Sequence, residues 1–97
     1  MSEGTNWIYI VGSFEHLNAV KIGMSTRPVR LGRLQQLQTG FPYHLHVYAE
    51  FPVYRHRIRN KEKNIHKTLE KYKMKGEWFN LHPKIAIEKV KKVIDNG

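Results

Sequence analysis

Cysteine is absent from the 97-residue chain, which rules out both a disulfide framework and thiolate chemistry. No apolar run approaches the length of a membrane span and no charged-then-apolar leader is present, so a soluble, cytoplasmic protein without a membrane partner is expected. Repeats, low-complexity tracts and Pro/Ser/Gly linkers are also missing, which predicts one continuous domain over residues 1–97. Negative charge is scarce. Seventeen Lys and Arg stand against eight Asp and Glu, a formal charge of +9, and in so short a chain that field favours polyanions, nucleic acid first among them. The size supports one modest core and no separate regulatory domain.

Two strand-like runs lie close together, Trp7-Ile8-Tyr9-Ile10-Val11-Gly12 and Ala19-Val20-Lys21-Ile22-Gly23-Met24-Ser25. As a hairpin with period-2 alternation they put Ile8 and Ile10 on the side of Val20, Ile22 and Met24. Tyr9 and Lys21 then share the opposite face beside the small Gly23. Ser25 or Thr26 can cap a helix with Pro28 in its first turn and Leu31, Leu34 and Leu37 at helical spacing, ended by Gly40. A third strand alternates Leu45, Val47, Ala49 and Phe51 with His44, His46, Tyr48 and Glu50, closed by Pro52. Residues 55–71 predict a second helix and residues 83–96 a third. The expected fold is α/β (α+β), a small three-stranded antiparallel sheet flanked by helices.

Glu62 interrupts an apolar helical stripe of Ile58, Ile65, Leu69 and Tyr72. An unpaired buried carboxylate is costly, so this group calls for a cation, a metal or hydrogen-bond donors. His66 lies one turn later, within its reach. Six histidines invite a zinc reading, but without cysteine or finger spacing structural zinc is rejected. Trp78 and Phe79 read as core aromatics, and Glu77 as a supporting carboxylate.

The ordered set Tyr9, Lys21-Ile22-Gly23, Arg33 through Gly40, Glu62 with His66, and Gly76-Glu77-Trp78-Phe79 resembles the compact phage and bacterial branch of the GIY-YIG nuclease superfamily. That branch is often described only as DNA-binding. The resemblance spans residues 7–81 and implies a metal-dependent DNA endonuclease, of phage or mobile-element origin, leaving a 5′-phosphate and a 3′-hydroxyl. It further implies that Glu62 is the metal ligand, that Tyr9 contacts or activates the attacking water, and that Arg33 stabilises the scissile phosphate. Asn80 falls near a supporting asparagine of the family. One carboxylate with water and phosphate oxygens suits Mg²⁺ or Mn²⁺, and an arginine fork matches phosphate geometry.

Two positions depart from the family pattern. Lys21 stands where tyrosine is common, and Leu37 where His or Tyr is frequent; a catalytically inactive DNA-binding module is therefore the alternative. An ammonium beside Tyr9 would favour phenolate and preserve water activation by another route. Counting forward from Lys21 selects Arg30 as the catalytic arginine, counting back from Gly40 selects Arg33, and the longer match favours Arg33. Arg27 and the run Arg55, Arg57, Arg59 and Lys61 form a candidate phosphate platform, though a solvated helix start explains such a run equally well. RNA as substrate and a homodimer remain open alternatives.

Overall fold

The computed structural model describes residues 5–39 and 42–96, the side chain of Arg33 excepted; Gly40 lies outside the described residues. Strands β1 (Thr5–Gly12), β2 (Val20–Ser25), β3 (His46–Tyr54) and β4 (Trp78–Phe79) form one antiparallel sheet in the order β3-β1-β2-β4. The register Ile8↔Met24, Tyr9↔Gly23 and Ile10↔Ile22 gives the face assignment expected from alternation. Ile8, Ile10, Val20 and Ile22 pack under α2 (Ile58–Thr68) and α3 (Pro83–Asp95), with Phe79 and Leu81 closing that core. Tyr9 and Val11 point to the other side, against Val29 and the Leu34 and Leu37 of α1 (Arg33–Gln38). Each fully buried Ile or Leu adds about 1.5–3 kcal/mol, so both faces contribute to holding the sheet.

Five features differ from the sequence expectation. The sheet has a fourth strand, only two residues long and so without a periodicity to read. The first helix is split: a 3-10 turn, Val29–Leu31, ends at Gly32 with φ 156°, a conformation open to glycine, before α1 begins. β3 runs through Pro52 to Tyr54, because it is an edge strand and an edge tolerates a missing N–H. A bulge between Ile10 and Val11 also moves Val47 to the α1 side, while Ala49 and Phe51 stay in the larger core. The second helix is shorter than residues 55–71, ending in a 3-10 turn at Glu70–Tyr72. α3 starts where expected, with Pro83 in its first turn and His82 Nδ1 accepting the Lys84 N–H at 3.1 Å.

Candidate metal centre

Helical spacing puts Glu62 and His66 on one side of α2, with Glu62 Oε2 4.0 Å from His66 Nε2 and both side chains about four-fifths buried. The His66 ring stands edge-on to Phe79, centroids 5.0 Å apart, which fixes its plane. Its Nε2 is buried and has no hydrogen-bond partner, an unusual condition for a polar atom. Glu77 arrives from the turn at Gly76, whose φ of 65° favours glycine. The Glu77 carbonyl accepts the Ile22 N–H at 3.0 Å, and β4 then pairs with Val20 and Lys21 of β2, so Glu77 lies against the β2 edge at Gly23. One ligand atom from each of Glu62, His66 and Glu77 falls within 4.8 Å of the others. These three line an open cleft of about 150 Å³ together with Arg59 and Lys63.

Tyr9 joins this edge from the opposite face of the sheet. Its ring is buried, and a Cβ placed on Gly23 would lie 2.6 Å from the Tyr9 hydroxyl and 2.8 Å from Glu77 Oε1. Only glycine lets both oxygens occupy that space. Lys21, on the same face, holds its ammonium 4.0 Å from Glu77 Oε1. Burial pushes the Glu62 carboxyl above the usual carboxylate range, and the Glu77 charge pushes it the same way; His66 and Arg59 pull it partly back. Two carboxylates and an imidazole gathered in this way form a cluster that could hold a divalent cation.

The T5orf172 domain profile matches residues 6–96. The chain belongs to the T5orf172 domain family. That domain is linked to the GIY-YIG nuclease superfamily, in agreement with the small antiparallel sheet flanked by helices. No curated protein and no solved structure matches the chain.

Within this T5orf172 domain, then, Tyr9, Lys21, Gly23, Glu62 and His66 come together, and Glu77, read from the sequence only as a support, stands at their centre. The Arg33 backbone opens α1, but its side chain lies outside what is described. Arg27 is exposed and gives its N–H to Ser25 Oγ at 3.3 Å. Asn80 is exposed and its N–H donates to the Tyr72 carbonyl at 2.7 Å. Arg55, Arg57 and Arg59 are exposed, as a phosphate platform requires. Lys61 differs: it is buried, and its Nζ donates to the Ile94 carbonyl at 3.0 Å, tying α2 to the C-terminal end of α3 where helix carbonyls favour a cation.

Arg30 is also committed. Its guanidinium pairs with Glu50 of β3, a carboxylate only 4% exposed, which accepts the Val29 and Arg30 N–H groups as well. Glu50 therefore anchors the 3-10 turn that leads into α1. Glu50→Ala removes the acceptor from these donors and is expected to cost roughly 2–3 kcal/mol. For a domain this size that is a melting temperature lower by about 10–20 °C, with Glu50→Gln, which keeps one acceptor oxygen, falling between.

Proposed function

We propose that this T5orf172 domain is a divalent-metal-dependent DNA endonuclease that hydrolyses phosphodiester bonds. One observation carries the reading: Glu62, His66 and Glu77 converge within 4.8 Å beside the Tyr9 hydroxyl, and His66 Nε2 has no other partner. A phosphate-binding surface alone has no use for two carboxylates at its centre. Glu62, His66 and Glu77 would hold the ion, Mg²⁺ or Mn²⁺. An imidazole among the oxygen donors fits Mn²⁺ better than Mg²⁺, which is served by oxygen and water. When bound, the ion supplies positive charge to the phosphate and the leaving oxygen.

The remaining steps belong to the chain. Tyr9 orients the attacking water through its phenol oxygen, while Lys21, paired with Glu77 on the same face, supplies positive charge to the site. Arg59 and Lys63, on the rim of the cleft, receive the non-bridging phosphate oxygens; Lys63 escaped the sequence reading because it is one lysine among many on an exposed helix face. Arg33, by the family resemblance, accompanies charge in the transition state. Exposed Arg55 and Arg57 add phosphate contacts, so affinity falls steeply with salt.

Incubation of supercoiled plasmid and labelled single-stranded DNA at low salt, with Mn²⁺ or Mg²⁺, tests this. Wild type is expected to nick plasmid, faster with Mn²⁺, and Glu62→Ala to be inert at equal DNA affinity. Tight binding without cutting of either DNA under any metal would make the domain a binding module instead.

A further inference from the structure

We infer that the tip of the β1–β2 hairpin and the start of β3 form a stacking ledge for an unpaired segment of DNA. The inference rests on the reading that DNA is the substrate and names the form that reaches the site. Phe14 is 61% exposed, yet its ring is not loose. One face lies on the His46 imidazole, centroids 3.9 Å apart and planes 22° from parallel, and its edge meets Tyr48 at 5.8 Å. Beside it His16 stands edge-to-face with the exposed Tyr43 at 4.2 Å. Large rings are thus held at fixed angles with open faces, which lowers the ordering cost when a planar group settles on them.

Between this ledge and α1 runs an open groove of about 480 Å³, bordered by Leu34 and Leu45 with Gln35 and His44 at its rim. An apolar floor with polar edges suits a nucleobase, which stacks through its π-face and hydrogen-bonds around its perimeter. The chain's charge of +9 attracts the accompanying phosphates, and the only carboxylate of the hairpin loop, Glu15, is engaged by the Ser13 hydroxyl at 3.1 Å. In a duplex the base faces are already stacked on one another, so the ledge selects unpaired DNA. It lies on the same strand pair as Tyr9. Gly12 pairs with His46, and Tyr9 is three residues back along β1, about 10 Å at the strand rise. That distance corresponds to about three nucleotides of a stacked strand.

Fluorescence anisotropy in EDTA, with a labelled oligothymidylate and a blunt duplex of the same length, separates this from general phosphate binding. Phe14→Ala is expected to weaken oligothymidylate binding about tenfold, the loss of one base–aromatic stack, and to leave duplex affinity unchanged. Phe14→Trp should restore the single-strand affinity or exceed it. Because Phe14 lies outside both buried cores, all three proteins should stay folded at the assay temperature, which melting curves check. Equal losses on both DNAs, no loss on either, or a failure of tryptophan to rescue would overturn the ledge. Since no metal is present and no cutting is measured, failure here leaves the nuclease reading intact, and an inert nuclease would leave the ledge standing.

Discussion

Glu62→Gln is expected to give a metal-free protein that melts above wild type at neutral pH and, on the proposed reading, to abolish the cutting of DNA. Both effects come from one carboxylate. Glu62 is kept by burial, and then by the charge of Glu77, from ionising as readily as an exposed glutamate. Its folded pKa is raised, so the stability it contributes is fully present below the ordinary carboxylate range and is lost as pH rises through the raised titration. Once ionised, Glu62 is a partly buried charge facing the Glu77 carboxylate, which glutamine removes without changing shape. A like-charge contact costs on the order of 0.5 kcal/mol, equivalent to about 2–4 °C in a domain of this size. The gap between the two proteins should close as pH falls below the carboxylate range.

Metal binding at the proposed centre should reverse the order. Wild type at about a hundredfold excess of Mn²⁺ over its Kd gains about 2.7 kcal/mol, whereas Glu62→Gln gains little and its cleavage falls by at least about 10²–10³-fold. Melting curves with and without Mn²⁺, run beside plasmid nicking, read both halves. A Glu62→Gln protein that melts below wild type without metal, and still nicks DNA with it, would exclude Glu62 as a ligand. Stability given up at Glu62 for the sake of a bound ion is what a functional site predicts.

How far these features could be read in the chain depended on whether each was local. Alternation placed Tyr9, Lys21 and Gly23 on one face because a two-stranded register is local and period 2 is unambiguous. Glu62 was legible for a similar reason, as a carboxylate inside an apolar helical stripe. Glu77 was not, since its position depends on a two-residue strand docking on β2 far away in sequence. The run before Glu62 misled at Lys61, which sits three residues after Ile58 and turns inward to a carbonyl 33 residues away. Its helical phase carried the hint, but the acceptor was invisible. The bulge at Tyr48 and the break at Gly32 likewise depend on packing between elements, which no single periodicity encodes.

Gly23→Ala tests whether the two sides of the sheet act as one site. The new methyl carbon would meet the Tyr9 hydroxyl at 2.6 Å and Glu77 Oε1 at 2.8 Å, and the two neighbours cannot yield equally. Tyr9 is packed among Val11, Val29, Leu34 and Leu37, whereas Glu77 is 41% exposed and free to swing outward. Overpacking costs about 1–3 kcal/mol, and the easier relief carries Glu77 away from Glu62 and His66. Cleavage should therefore drop by about 10²-fold, the penalty of an ångström-scale misplacement, and the rise in melting temperature with Mn²⁺ expected of wild type should be lost. Gly12→Ala provides the control from the far end of the same hairpin. There the added carbon meets the Ala19 carbonyl at 2.9 Å and Tyr48 at 3.0 Å, so the fold is strained to a similar degree while the three candidate ligands stay in place. If both variants lose stability but only Gly23→Ala loses the Mn²⁺ shift and the cutting, glycine at position 23 is required by the metal centre. Equal loss of cutting in the two would reduce Gly23 to a packing residue and detach Tyr9 from the chemistry.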